Sequence, residues 1–538
     1  MKTLIAISTI LVLTLTSISQ NTWLVTFNSS GNNPDVAKHH AVDNQGNTYV
    51  TGYTAINSYP IGFLMKINPT GNIQWVKNFY GYNGSGNAIG QKVMIDQNNN
   101  VYVCAAGTSF GNSWDFFLHK YDNNGNKVFS IRYGEPNYQE NFGDAFIDIS
   151  GNVIVAVQSR TSSDSLYNMN LLKYNSSGIV SGFQSYSFPL NDVSPCQLLQ
   201  DNNGNIFAFT NLTNRNQVPH SFIVVLKYNS QFQLLGTTSF NGPPNTRTLF
   251  GYAQLMLNTD IVLCISNPQL TGESNLAVIK LNNLMYPIWY KNYDLVSGKS
   301  EYPTGMKINN NNDILIASNT ISGADILTTR LDIDGNLIWS RIYDRAGYYD
   351  QVSQIGFDSF GNVYCAGTSS TSAQNMDALI LKYDVNGNLQ FVYNYNGLAF
   401  SVDGFSAMTV STAGVITASG STYTSSNNVD ELTVRLEGNF TGLSNTNENI
   451  PEKFSLQQNF PNPFNPSTSI CFSLPADSKV KLVVFNSAGQ EVAELVNEEM
   501  NAGTYEYQFD AGSLSSGVYF YKLITENFTD TKKMMLVK

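Results

Sequence analysis

Charge is scarce in this chain. Only 13% of its 538 residues are Asp, Glu, Lys or Arg, and 29 basic against 40 acidic residues leave a formal net charge of −11. No basic stripe interrupts that balance, which argues against nucleic acid as a partner. Histidine is rarer still. The four, His39, His40, His119 and His220, show no helical or ribbon spacing with Cys or acids that would suggest a metal site, and no cofactor is implied. Long apolar runs are missing except near the start, where residues 4–15 fall short of the ~20 that a bilayer span needs. No long segment carries a helical apolar period. No Gly-x-Ser-x-Gly elbow, phosphate loop or dinucleotide fingerprint stands in a credible context. Carboxylate pairs for glycoside chemistry stay open, because their separation in space is hidden in a sequence.

What the chain does have is a repeat. An apolar run ending in a basic residue returns at Lys66, Lys120, Lys173, Lys227, Lys280, Arg330, Lys382 and Arg435, in steps of 50 to 54. A second phrase, Asp-x-x-Gly-Asn before a β-rich run, keeps the same beat from Asn47 to Gly414. A period of this length denotes an array of small β-units. In the second unit the strands are expected at residues 92–95, 101–105, 116–121 and 127–133. Asn-Gly, Gly-Asn and Asp-Gly turns join the first pair and the last pair, because Gly and Asn tolerate φ > 0. Phe222 to Leu226 is apolar at every position, as expected for a strand buried on both faces. Four strands per unit repeated radially make a propeller blade. Trp23–Phe27 reads like Trp75 to Phe79, the fourth strand of the first unit, whereas the eighth unit lacks such a strand. Residues 21–28 are therefore expected to close the last blade. The expected fold is all-β, an eight-bladed β-propeller followed by a small C-terminal antiparallel β-sandwich.

The phrases DNQGNTYVTG (43–52), DNNGNIFAF (201–209) and DSFGNVYCAG (358–367) resemble the SBBP-type β-propeller repeat of exported bacterial proteins. The resemblance covers roughly residues 21–438. Units five, six and eight depart from the full Asp-x-x-Gly-Asn. The family implies fold and export, not an activity.

The ends agree with export. Residues 1–19 read as a secretory signal peptide, with Lys2, an apolar core and the small-x-small site Ser17-Ile18-Ser19. The propeller is expected over residues 20–438 and a polar linker over 439–452. Over residues 453–538 the texture changes. The proline-rich run Gln457-Gln458-Asn459-Phe460-Pro461-Asn462-Pro463-Phe464 comes first, then VKLVVFNSAGQEV (480–492), then a basic end from Lys532 to Lys538. This segment is similar to the C-terminal sorting domain of type IX secretion cargo in its type A form. The resemblance implies that the type IX machinery is a partner through residues 453–538. It also implies passage through the periplasm to the outer cell surface or medium.

Three constellations are weighed and set aside. Cys104, Cys264 and Cys365 are expected at one place in the second strand of three separate blades, and so to stay apart, buried and reduced; Cys196 and Cys471 fall in different domains. The Asp-x-x-Gly-Asn turns lack the terminal Glu of a calcium loop and read as hairpin turns. The shared Asp and Lys are expected on one face of the ring, pairing as Asp43/Lys66, Asp96/Lys120, Asp148/Lys173, Asp201/Lys227 and Asp358/Lys382. Exposed pairs of this kind contribute only ~0–1 kcal/mol each.

The other face is where the repeats disagree, and varied loops on a rigid ring are where binding residues gather. The candidates for ligand binding are Asp35, His39, Tyr138, Asp144, Glu301, Tyr302, Tyr349, Asp350 and Asp403. No residue stands out as catalytic. The favoured reading is a secreted or cell-surface binding or scaffold protein with a carbohydrate or peptide ligand. The alternative is a propeller hydrolase or lyase acting on an extracellular polymer, and a third reading is purely structural.

Overall fold

The computed structural model describes residues 22–537 except 30–33, 57–58, 85, 109–112, 135–137, 162–166, 189–190, 195–196, 215–219, 242–248, 269–272, 322–324, 346–347, 373–374, 398–401, 426–427, 438–442, 447–453, 460–461, 476–477 and 501–502. The expected signal peptide and Cys196 lie outside the described residues. Apart from one short 3-10 turn at Tyr82–Gly84, the named elements are all strands.

Eight antiparallel sheets of repeated build follow one another along the first part of the chain. Blade one runs outward as Asp35–Val42, Thr48–Ile56, Tyr59–Ile67 and Ile73–Phe79. The first strands of successive blades pack side by side, and that of blade eight, Gly404–Val410, returns to that of blade one, so the ring closes. In blade two the second to fourth strands are Val101–Thr108, Trp114–Tyr121 and Lys127–Tyr133, close to the sequence reading. The first strand, Ala88–Ile95, starts four residues earlier than expected, because a bulge between Gly90 and Lys92 hides its alternation.

The outer strand of blade eight is Trp23–Phe27, paired antiparallel along Glu431 to Arg435. The two ends of the propeller segment thus share one sheet, and the outward edge of that blade's third strand is covered.

Hydrophobic burial lies between blades. Ile223, Val224, Val225 and Leu226 on the third strand of blade four are all buried, and they feed two separate apolar clusters, one toward each neighbouring blade. A fully buried aliphatic side chain contributes about 1.5–3 kcal/mol relative to exposure, so each interface rests on several such residues.

The turns carry the rest. In blade one the Asp43 carboxylate accepts the amides of Gln45 and Asn47 at 2.9 and 2.8 Å and the Asn47 side-chain amide at 2.8 Å. Gly46 takes φ +82°, a region open to Gly. The same pattern holds at Asp96, Asp148, Asp201 and Asp358. These oxygens therefore face N–H donors. In blade eight the turn closes at Val415, one residue past the expected Gly414, which takes the positive φ.

The expected Asp/Lys pairs are corrected. Of the five, only Asp148–Lys173 lies within ion-pair reach, at 3.4 Å; in blades five and six Lys280 and Arg330 pair instead with the turn-closing residues Asp260 and Asp313. The basic side chain is long enough to cross to the next blade, and that is where it goes. Lys66, Lys120, Lys173 and Lys227 donate to the backbone carbonyls of Asn123, Ser176, Ser230 and Asn283 at 3.2, 2.8, 3.3 and 2.5 Å. Arg330 donates likewise to Val385 at 2.8 Å. Every acceptor is the second residue of the turn joining the third and fourth strands of the following blade. Lys382 has no such turn ahead of it, since the third and fourth strands of blade eight come from opposite ends of the propeller segment. Its ammonium lies over the Tyr364 ring instead.

An aromatic residue opposite the basic one completes the contact. Trp75 faces Lys66, Trp339 faces Arg330 and Trp23 faces Arg435 across their ladders. Trp339 and Trp23 donate their indole N–H to Val385 and Pro69 carbonyls at 3.1 and 2.9 Å. The glycines of those next turns lie so close beneath the rings that a Cβ on Gly125, Gly387 or Gly71 would sit 2.7 to 2.9 Å from ring or stem atoms.

The second body is a pair of four-stranded sheets. One orders Leu443–Thr446, Gly503–Asp510, Ser467–Leu474 and Ser455–Leu456; the other orders Glu491–Met500, Ser478–Asn486, Gly517–Ile524 and Thr529–Leu536. Ile470, Phe472, Leu482, Val484, Tyr521 and Met534 share the core between them. Leu443–Thr446 falls inside the segment expected as linker, yet it pairs with Gly503–Asp510.

The cysteine register also needs correction. Cys104 and Cys264 pair with Lys92 and Tyr252, but the residue at that place in blade seven is Ala366, opposite Gln354. Cys365 is one position earlier and contacts Thr328 of blade six at 3.3 Å. All three are buried and free.

Replacing Lys227 by Met leaves the Asn283 carbonyl without its charged donor. This should lower stability by about 1–2 kcal/mol, since hydrogen bonds to charged groups carry that scale and some desolvation cost is relieved. The exposed Lys127→Met should change it by less than about 0.5 kcal/mol. Urea unfolding midpoints of the two variants check this.

Candidate functional site

In seven blades the ladder between first and second strands slips once, at Ala37/His39, Gly90/Lys92, Phe142/Asp144, Phe250/Tyr252, Pro303/Gly305, Val352/Gln354 and Phe405/Ala407. Blade four breaks its first strand there, into Asn191–Val193 and Gln197–Gln200. A bulge bends its strand and re-aims the side chains beside it. The residues that resume the ladder are His39, Lys92, Asp144, Gln197, Tyr252, Gly305, Gln354 and Ala407, one per blade. Six of them, from Lys92 to Gln354, line a cavity of about 530 Å³, together with Phe250, Gln254 and Lys307. A second cavity of about 350 Å³ adjoins it, sharing Lys307 and Ile355. The candidate site is this polar channel.

Lys92 and Asp144 are paired at 2.6 Å. Asp144 is also held by the amides of Ala145 and Leu198 at 2.8 and 2.9 Å, so both its oxygens are occupied. His39 accepts the Val93 amide on Nδ1 at 3.4 Å. Burial, helped by Lys92, His40 and Lys307, pushes its pKa down to about 3, so the ring is neutral at pH 7. Gln197 spends both ends of its amide on the Ala253 backbone, at 3.0 and 2.8 Å. Tyr252 has its hydroxyl pKa raised by burial and then by Cys264 and Asp144, the wrong direction for a phenolate base. Burial and the like charge of Lys92 lower the Lys307 ammonium.

Of the nine residues expected at a ligand, the structure brings Asp144 to the cavity lining and His39 to the equivalent ladder position of blade one, outside the lining of both cavities. Asp35, Glu301, Asp350 and Asp403 occupy a different repeated position, four residues before the channel residue of blades one, six, seven and eight. All four are completely buried. Their carboxylates turn back onto the backbone of the crossover arriving from the previous blade. Asp35 accepts Ser29 N–H at 2.8 Å, Glu301 accepts Leu295 and Val296 at 2.9 Å, Asp350 accepts Arg345 at 2.7 Å and Asp403 accepts Gly397 at 2.6 Å. Burial raises the pKa of each, Asp350 to about 6, against the lowering effect of these amides. Tyr138 and Tyr302 are half-buried near the loop ends of first strands, and Tyr349 is exposed just ahead of one. They stand in blades three, six and seven and do not line the channel cavities. Lys92, Gln354, Tyr252 and Lys307 were not anticipated, although each channel residue lies four positions before the start of a repeated turn.

Comparison with known proteins places the two bodies. The family model of a secretion system C-terminal sorting domain matches residues 458–538, and that of a β-propeller repeat matches residues 338–372. No curated protein matches the chain. Among solved structures, an ulvan lyase bound to a saccharide aligns at 10% identity, covering 67% of this chain and 93% of its own, with a TM-score of 0.41. A Hadza microbial sialidase aligns at 10% identity over 77% and 96%, with a TM-score of 0.34. A protein of unknown function from Dyadobacter fermentans aligns at 10% over 57% and 97%, with a TM-score of 0.37. Likenesses this distant bear on neither activity nor ligand.

The buried acids set a pH dependence with a definite sign. A carboxyl whose folded pKa is raised binds its proton more tightly when folded, so its contribution is present at low pH and lost as pH rises. For Asp350 the loss falls between about pH 4 and pH 6. Asp350→Asn should flatten the fall in melting temperature across that window while changing it little below pH 4. Thermal unfolding at half-unit pH steps checks the slope.

Proposed function

We propose that this protein, exported by type IX secretion to the cell surface or medium, is a binding protein whose ligand seat is the polar channel of the ring. The sorting domain supplies the export and the contact with the secretion machinery. Binding at the channel is supported by how the acids are used. A glycosidase needs two free carboxyl groups flanking a bond. The channel cavity has one carboxylate among its described lining residues, Asp144, and both its oxygens are taken by Lys92 and backbone amides. The crossover acids are spent on backbone N–H groups. Hydrogen-bonding capacity facing the cavity comes from Gln254, Gln354, Tyr252 and Lys307, with Ser194 and Asn211 also on the lining, beside the ring of Phe250. Amides with aromatic surface suit recognition of a carbohydrate or peptide more than bond cleavage.

Glycan and peptide arrays with the exported chain, run beside polymer hydrolysis and elimination assays, test this. Binding to a defined subset without turnover is expected. Turnover that Asp144→Asn abolishes would make the protein an enzyme. Silence in every assay would favour a purely structural role.

A further inference from the structure

Resting on that reading, we infer that the channel selects an anionic saccharide, seating its carboxylate or sulfate on Lys307. The argument begins with charge. The chain is acidic overall, at −11, yet the described lining of the larger cavity carries two cations, Lys92 and Lys307, against one anion, Asp144. Asp144 cancels Lys92 at 2.6 Å. His39, on the same tier, is uncharged. Lys307 lies two residues beyond the bulge of blade six and reaches both cavities. Among the described residues its ammonium has neither an ion-pair partner nor a hydrogen-bond acceptor, and the one charge acting on it is the repulsive Lys92. The nearest acid on that lining, Asp358, is bound into its own turn by the amides of Phe360 and Asn362 and the hydroxyl of Tyr364.

The basic residues in the outer part of the ring show what the fold does with buried cations. Lys66, Lys120 and Lys227 are each matched to a carbonyl, and Arg330 to both a carbonyl and Asp313. Lys307 is exposed to the water of the channel and has no counter-charge among the described residues, so its ammonium is free to meet a ligand anion. The side chains of Gln254 and Gln354 also lack protein partners among the described residues and can meet hydroxyls. Phe250 and Tyr252 offer apolar ring surface for a sugar face. The cavity of about 530 Å³ accommodates a short saccharide end.

Titration calorimetry of the exported chain with trigalacturonate, maltotriose and sodium sulfate tests the inference. Trigalacturonate is expected to bind at least tenfold more tightly than neutral maltotriose, and sulfate only weakly. Lys307→Met should weaken trigalacturonate at least tenfold and abolish sulfate binding, with the near-UV circular dichroism unchanged; Lys307→Gln repeats the test if the Met variant misfolds. Equal binding of both trisaccharides, lost in Gln354→Ala, would overturn the anion assignment while leaving the channel as the binding seat. Acidic binding indifferent to both Lys307 and Gln354 would overturn the seat as well. Sulfate binding as tight as trigalacturonate would make a free oxyanion the ligand and overturn the saccharide. Failure of all three probes to bind would contradict the inference.

Discussion

A buried basic side chain on the third strand of one blade, donating to a turn carbonyl of the next, is the contact on which the ring depends. Apolar packing brings neighbouring blades together, but it is non-directional and does not fix their angle. The bond from Lys66 to Asn123, renewed at Lys120, Lys173, Lys227 and Arg330, fixes each outer turn against the blade behind it. The aromatic opposite, where present, presses on the glycine of the same turn. That glycine is required twice over, for its positive φ and for the absence of a Cβ under Trp75, Trp339 or Trp23. The same device operates at the seam. Trp23 reaches Pro69, and Arg435 reaches the Gly46 carbonyl at 3.2 Å, so the last blade is joined to the first much as any other pair is.

Once the outer ring is held this way, the repeated residues are fully engaged and the inner ring is left free to differ. The bulge recurs in seven of the blades and a strand break takes its place in blade four, yet the residue that follows is His, Lys, Asp, Gln, Tyr, Gly, Gln and Ala in turn. Architecture is constant where side chains meet the next blade. Chemistry varies where they meet the channel. The sorting domain has a core of its own.

The repeat, the turns, the closing strand and the sorting domain were legible because each is a local pattern: a spacing, a glycine, a run of β-branched residues. The errors arose where a side chain reaches beyond its own unit. Asp43 and Lys66 do share a face, but a lysine stem spans the gap to the next blade, and a carbonyl leaves no signature in a sequence. Asp35, Glu301, Asp350 and Asp403 stand beside variable loops in the sequence, which points to a ligand, but they are held by main-chain amides five or six residues upstream. Cys365 was misplaced by one position, enough in a strand to send a side chain to the opposite face. In the sequence Lys92 reads only as the first residue of a strand, and nothing singles out Lys307. Counting four and two positions back from each repeated turn would have placed both in the channel, but only once the bulge was known.

The central claim is that eight interlocked blades form one closed ring, with the strand Trp23–Phe27 held as firmly as any outer strand. Hydrogen–deuterium exchange of the exported chain tests it most directly. The account predicts that amides of Trp23–Phe27 are protected to the same degree as those of Lys127–Tyr133 and Pro287–Tyr293, the outer strands of blades two and five. Exchange of Trp23–Phe27 orders of magnitude faster than those two strands would contradict a ring closed by its first strand.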